Sequence, residues 1–442
     1  MPSLESLLSR RQLLRVGAVS TAVSVSGWLG QLARAARATQ GRPKRSCILL
    51  WMNGGPSTID LWDRKLEHEN GGPFREIPTT APGLRIGEHL PNLARHGSCL
   101  AVLRGMSTKE GDHARGTYLM RTGQLPGAAG IQYPCLGALV SKELGDPQAE
   151  LPNFVSIAPQ RFFSQEAFGP GFLGPVHAPL VVGENASLAN PSANNLDASL
   201  RVADLERPKV VDEARAAART DLLRQMQEQF AAGHPGPMAR SHAAAYDRAT
   251  RLMQSEGGKV FDLTTEKDSI RDKYGRNLFG QGCLLARRLI ERGVPFVEVT
   301  LGGWDTHGQN FPQVKNLCGV LDAAWGTLMD DLKDRGLLDT TTILWMGEFG
   351  RTPKINAAQG RDHYPNAWST VLAGGGIRGG QAVGKTSKDG TTVEERPTTT
   401  LDLLATLCLA LGIDYEKTNP SNVGRPIRIV DQPANPVKEV VA

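Results

Sequence analysis

The sequence predicts an α/β fold with a mostly parallel central sheet and helices on both faces. Three observations carry that prediction. Ser46-Cys-Ile-Leu-Leu-Trp-Met52 is a continuous apolar run, which suits a strand covered on both faces. Asn277 to Arg292 places apolar residues at helical spacing and stops at Gly293, a helix-ending signal. From there to Leu411 strand and helix patterns alternate, the order of βαβ units.

The first residues fall outside this fold. Ser9-Arg10-Arg11-Gln12-Leu13-Leu14 is a twin-arginine element, followed by the mildly apolar stretch Val16 to Leu32 and by Ala36-Arg37-Ala38, a small-x-small cleavage signal. Residues 1–38 are expected to be a signal peptide read by the twin-arginine export machinery, a route for folded proteins that often carry a metal. The destination is the periplasm or the cell exterior. The apolar stretch is broken by Ser, Thr and Gly and barely reaches spanning length, and no later segment reaches it, so no stable membrane span is expected. The signal also explains the basic balance. Of 50 basic and 45 acidic residues, Arg10, Arg11, Arg15, Arg34, Arg37 and Glu5 lie in it, leaving 45 against 44. A nearly neutral mature chain gives no case for a nucleic-acid partner.

The remainder, 39–442, reads as one α/β domain. After the first strand comes Asn53-Gly-Gly-Pro-Ser57-Thr-Ile-Asp60, a glycine-rich exit that lets backbone approach a ligand. Residues 64–90 are rich in Gly, Pro and charge and read as loops. Leu90 to His96 reads as a helix and Leu100-Ala-Val-Leu103 as a strand. Asp112 is placed to cap a helix that runs to Arg121. Tyr133 to Leu144 is helical, Asn153 to Ile157 a strand, and 159–200 loop with an apolar piece at Pro179 to Val182. From about 205 to 256, Ala, Arg, Asp and Gln at helical spacing read as a solvent-facing helical insertion. Strands follow at 294–301, 341–346 and 368–373, with helices at 312–335 and 399–411; Lys385 to Glu395 reads as a β-turn excursion. The six cysteines include no Cys-x-x-Cys pair, which excludes a zinc ribbon or thioredoxin-like motif; Cys47, Cys283 and Cys408 read as buried thiols.

Chemistry concentrates in glycine-flanked turns next to these strands. Gly-Gly-Trp-Asp305-Thr-His307-Gly, Gly-Glu348-Phe-Gly-Arg351-Thr-Pro and Gly-Arg361-Asp362-His363-Tyr-Pro each offer carboxylate or imidazole ligands at a strand end, where open α/β sheets place their sites. A divalent metal, Zn, Mn, Mg or Ca by ligand type, is the expected cofactor. Gly111-Asp112-His113-Ala-Arg115-Gly-Thr117 opens a helix towards the same region. His113 is a candidate ligand, base or nucleophile, and Arg115 and Arg351 are candidate clamps for a sulfate, phosphate or carboxylate. Asn53, Ser57, Asp60 and Thr117 complete the list. Histidines 68, 89, 96, 177, 234 and 242 have no partners nearby in sequence and default to surface roles.

As a set, the twin-arginine start, Leu50-Trp-Met-Asn-Gly-Gly-Pro-Ser57, Asp112-His-Ala-Arg-Gly, Gly-Gly-Trp-Asp305-Thr-His307, Gly-Glu348-Phe-Gly-Arg-Thr-Pro and Arg-Asp362-His363-Tyr-Pro resemble domain-of-unknown-function family 1501, a planctomycete-type family, over roughly residues 45–430. That family is similar in fold to the alkaline phosphatase and sulfatase superfamily. The resemblance implies an alkaline phosphatase-like sheet with metal ligands at the strand ends: Asp305 and His307 as an Asp/His pair, Glu348 in place of an Asp-His pair, His363 as a further ligand, and Asn53 where an Asp is usual. Counting back from Arg121-Thr-Gly123, His113 stands where sulfatases have a modified Cys and phosphatases a Ser or Thr. There is no Cys-x-Pro-Ser-Arg motif, so a formylglycine mechanism is not supported. Two functions follow as expectations. One is an exported metal-dependent hydrolase of sulfate or phosphate esters, acting on a small-molecule or polysaccharide ester. The other is a non-catalytic binding or surface-assembly protein on the same fold.

Overall fold

Strand β1, Ser46–Met52, is buried at every position and pairs in parallel on both sides. Its alternate residues feed two different cores. Ile48, Leu50 and Met52 join one apolar cluster, and Cys47, Leu49 and Trp51 join the other. That is why its sequence is an unbroken apolar run with no alternation. Each fully buried aliphatic side chain contributes roughly 1.5–3 kcal/mol.

The computed structural model describes residues 45–127, 130–184, 196–202, 205, 207–234 and 237–442. The twin-arginine element and the cleavage signal lie outside them. Arg45–Ala442 forms one compact unit. Its further sheet strands are β2 Leu100–Met106, β3 Phe154–Ile157, β4 Leu180–Val182, β5 Phe296–Leu301, β6 Thr341–Met346, β7 Trp368–Gly374 and β8 Gln381–Val383. They form one eight-stranded sheet in the order β8-β2-β7-β6-β1-β5-β3-β4. Only β7 runs against the others. The connection from β6 to β7 contains no helix to carry the chain back across the sheet, so β7 returns antiparallel. The predicted mixed α/β architecture, mostly parallel, is therefore what the chain adopts.

Helices cover both faces. The principal ones are α1 His113–Thr122, α2 Leu136–Leu144, α3 Glu213–Gly233, α4 Pro237–Gln254, α5 Leu278–Glu291, α6 Asn310–Asp334 and α7 Thr400–Leu411. α5 and α6 pack into the core that holds Ile48, and α2 and α7 into the core that holds Leu49. The Asp112 side chain caps α1 by accepting from Arg115 N–H at 3.0 Å, and α7 opens on a reciprocal Thr399/Asp402 box.

In the predicted helical insertion, α3 buries none of its residues, whereas α4 is tied down through Ser241 and Arg248 to the backbone of Val176. No helix among the described residues is long and apolar enough to cross a membrane. The cysteines are free thiols, Cys47, Cys283 and Cys408 among the buried ones. His96 corrects the surface default for isolated histidines: its ring is buried, 3.2 Å from Asp330.

Candidate metal centre

The C-terminal ends of β1, β5 and β6 meet at one edge of the sheet, because β1 lies between the other two. The start of β7 and the N-terminus of α1 reach the same edge. After β1 the chain turns through Gly54 at φ 111°, where a Cβ would stand 2.6 Å from the Asp305 backbone nitrogen. Only glycine lets the two turns touch. Buried Trp304 anchors the second turn, with its backbone N–H on Asn53 O at 3.3 Å. Gly350–Arg351 pairs antiparallel with His363–Tyr364, setting His363 opposite Arg351. Gly360 packs against the backbone of His307, so a side chain there would push the third turn off the second.

The result is three imidazoles around one carboxylate. His363 Nδ1 lies 2.7 Å from Gly111 O, His307 Nδ1 2.8 Å from Asp362 Oδ1, and His113 Nδ1 2.7 Å from Glu348 Oε1. A carbonyl or carboxylate oxygen only accepts, so each ring carries a proton on Nδ1 and, when neutral, turns an Nε2 lone pair inward. Those lone pairs face Asp305. His363 Nε2 is 3.2 Å and His307 Nε2 3.1 Å from Asp305 Oδ1, and the two Nε2 atoms are 3.0 Å apart. His113 Nε2 is 3.3 Å from Asp305 Oδ2 but makes no hydrogen bond there. Electron-rich atoms converging with no proton between them repel one another unless a cation sits among them. Ligand atoms of His113, Asp305 and His363 all lie within 4.8 Å of each other, as metal ligands do. A backbone or carboxylate partner behind each imidazole is also how metal-binding histidines are held.

The electrostatics agree for Asp305 and His363, whereas the carboxylates around His113 favour its protonated form when no cation is bound. Burial works against charge on Asp305, but the hydrogen bond and charge of Arg351, with His113 and His363, bring its carboxyl down to about 2. Burial, then the Arg351 charge, lowers the His363 pKa, which favours the neutral ring. Burial also opposes charge on His113, but the Glu348 hydrogen bond and the Glu348 and Asp305 charges outweigh it and raise its pKa. The His307 hydrogen bond lowers the Asp362 pKa. The donor set is imidazole-rich with one carboxylate. It fits zinc or another transition ion better than Ca or Mg, which favour all-oxygen sites.

Other expected site residues are placed differently. Asp362 stands behind His307 and does not face the centre. Glu348 Oε1 is occupied by Gly54 N–H and His113, while Glu348 Oε2 is buried without a hydrogen-bond partner. Arg351 is buried with every guanidinium nitrogen engaged, on the carbonyls of Gly54, Gly55 and Arg361 and on Asp305. It orients Asp305 and spends four of its five N–H donors on these partners. Arg115 is exposed and forked onto Glu110 at 2.7 and 2.8 Å. Asn53 accepts from the Trp51 indole and donates to Gln160 at 2.9 Å. Ser57 donates to Asp60 at 2.6 Å, and Asp60 is locked on Arg361 and Arg64 in a buried network. Thr117 is buried, one turn beyond His113 on α1, with no partner for its hydroxyl. None of Arg115, Ser57, Asp60 and Thr117 has its side chain hydrogen-bonded to a histidine of the cluster.

Residues outside the sequence-predicted set complete the site. Phe163 stacks on His113 at 4.3 Å with ring planes 9° apart, and Phe349 lies 5.0 Å from His113 and 4.7 Å from His363. Asn356 donates to His307 O at 2.9 Å and to Asp362 at 3.2 Å. Phe349 lies between Glu348 and Gly350 in a motif read for its charged residues, and the stretch holding Phe163 carries no pattern beyond that of a loop.

A family model described as protein of unknown function (DUF1501) matches residues 44–441. No curated protein matches the chain in sequence. Solved structures similar to it include the PsFucS1 sulfatase from Pseudoalteromonas sp., at 14 % identity and TM-score 0.38, covering 86 % of this chain and 70 % of that one. A protein in the alkaline phosphatase superfamily from Vibrio parahaemolyticus matches at 13 % identity and TM-score 0.39, over 84 % and 67 %. The lipoteichoic acid synthase LtaP from Listeria monocytogenes matches at 8 % identity and TM-score 0.40, over 85 % and 73 %. Likeness at this level assigns neither a reaction nor a substrate.

Proposed function

The chain belongs to the DUF1501 family, and we propose that this member is an exported metal-dependent hydrolase of phosphate or sulfate esters. One observation carries the reading: the Nε2 lone pairs of His307 and His363 and Asp305 Oδ1 lie 3.0–3.2 Å from one another, each ring fixed from behind. Asp305, His307 and His363 would hold the ion, zinc by donor type. When bound, such an ion polarises an ester oxygen and lowers the pKa of water.

The chain's own residues prepare the rest. Arg351 fixes the rotamer of Asp305 and holds it ionised. Glu348 keeps the His113 proton on Nδ1, which leaves Nε2 free to ligate or to accept a proton from an attacking water or hydroxyl. Phe163 and Phe349 shield that imidazole from bulk water. Export through Arg10 and Arg11 belongs to the same reading.

A second reading is a binding or surface-assembly protein with a structural metal. It is favoured by the pairing of Arg115 with Glu110 and of Arg351 with Asp305 and the backbone, which ties both guanidinium groups to protein partners. The test is turnover of 4-nitrophenyl phosphate and sulfate by zinc- and manganese-loaded protein, beside Asp305→Ala. Hydrolysis that disappears in the variant supports the enzyme. A fully metal-loaded protein that turns over neither class of ester contradicts it and favours the binding protein.

A further inference from the structure

The loop after β3, Pro159-Gln-Arg-Phe-Phe-Ser-Gln165, leaves the sheet at the edge where the histidines gather. Two contacts pin it to the centre. The Gln160 side-chain oxygen accepts from Asn53 in the turn after β1, and the Phe163 ring lies flat on His113. Phe162, the adjacent residue, is held outward. It is 63 % exposed, with its ring centroid 4.2 Å from that of Phe163 and tilted by 50°. Around it Pro159, Gln160, Arg161, Gln165 and Glu184 line an open cavity of about 340 Å³, at the lower end of the ~300–1,000 Å³ range of small-molecule sites. Arg161 forks onto Glu184 at 2.5 and 2.6 Å, a rigid planar pair on the cavity wall.

A phenylalanine kept in water forgoes the free energy of burial, so an exposed ring beside a functional centre points to a ligand with an apolar face. The lining narrows that ligand. It offers one free aromatic face among two amides and a guanidinium–carboxylate pair, groups that both donate and accept to hydroxyls. An acyl chain would want a longer apolar trench. A nucleobase would gain most from two parallel faces, and one face of Phe163 is already taken by His113.

We infer that this cavity is a subsite for a pyranose ring, which stacks its C–H face on Phe162 while Gln160, Gln165 and the Arg161–Glu184 pair meet its hydroxyls. The proposal rests on the hydrolase reading only in taking that sugar as the alcohol part of the ester.

The test is saturation-transfer NMR on the full zinc-treated protein with methyl glycosides of glucose, galactose and N-acetylglucosamine and with their 6-sulfates. Ethyl sulfate serves as a ring-free control. Ring C–H protons should be saturated by the wild type and equally by Asp305→Asn, because the subsite does not need the metal. Phe162→Ala should cut the effect by about five- to tenfold, on the scale of one lost ring contact, and Phe162→Trp should restore it. No saturation of any sugar, or equal saturation by Phe162→Ala, overturns the subsite. The two readings fail separately. Sugar binding by a protein that hydrolyses no ester leaves the subsite and removes the enzyme, whereas ester hydrolysis with no sugar binding does the reverse.

Discussion

Replacing Asp362 by Asn asks how much of the metal affinity comes from the group behind a ligand. The carboxylate accepts from His307 Nδ1 at 2.8 Å and so fixes the ring in the tautomer that turns Nε2 inward. Removing such a partner typically lowers metal affinity ~10–100-fold. Two features of this site favour the lower end. The Asp362 side chain is 53 % exposed, so solvent screens most of its charge. Asn356 also holds the His307 backbone at 2.9 Å and keeps the turn in place. The expected loss is therefore about tenfold, or ~1.4 kcal/mol. Zinc affinity is read by competition with a chromogenic chelator, with the apo melting temperature as a control for folding. Asp305→Asn, which removes a ligand, should lose more than ~100-fold in the same assay. An unchanged affinity in Asp362→Asn, with Asp305→Asn impaired, would refute the claim that Asp362 works through His307. A loss as large as that of Asp305→Asn would instead make Asp362 a ligand.

Two further outcomes test the scaffold. Arg361 is fully buried and bonds Asp60 through both carboxylate oxygens at 2.9 Å; Arg361→Met strands the Asp60 charge next to Arg64 alone and should cost ~3–5 kcal/mol in urea unfolding, whereas a cost under ~1 kcal/mol would show that Arg64 suffices. His177 is half-buried, and burial, with the charges of Arg248 and Lys142, lowers its pKa to about 4. The unfolded chain, with a pKa near ~6.5, takes up the proton first as pH falls, so stability is lost between about pH 6.5 and 4, by ~1–2 kcal/mol after allowing for partial exposure. His177→Gln should flatten that part of the acid slope, and an identical slope in the variant would contradict this.

How far the sequence foretold this molecule depended on what each residue's neighbours were. β1 was legible to the residue because a strand buried on both faces needs an unbroken apolar run. α1, α5 and α7 were legible because Asp112, Asn277 and Thr399 cap them through their own side chains. β8, Gln381–Val383, was missed: a three-residue edge strand is held by backbone pairing to β2 and carries little periodicity. The ligand turns were readable from residue type. The division of labour among them was not, because it depends on rotamers set by distant partners. Asp305 and Asp362 look alike in sequence; Arg351 makes the first face the centre, while His307 draws the second behind itself. Arg115 reads as a clamp from its motif alone; in the structure its Nε and one terminal nitrogen pair with Glu110, five residues earlier. Phe162 and Phe163 gave no signal, since two aromatics in a loop show their value only beside His113.

The claim that holds the account together is a bound ion among three lone-pair donors. Elemental mass spectrometry on the folded protein, beside an Asp305→Ala/His307→Ala double variant, tests it most directly. About one transition-metal ion per chain, absent from a double variant that keeps its fold, is the predicted result. A well-folded wild type that carries no metal, and takes none up from a zinc solution, would contradict it.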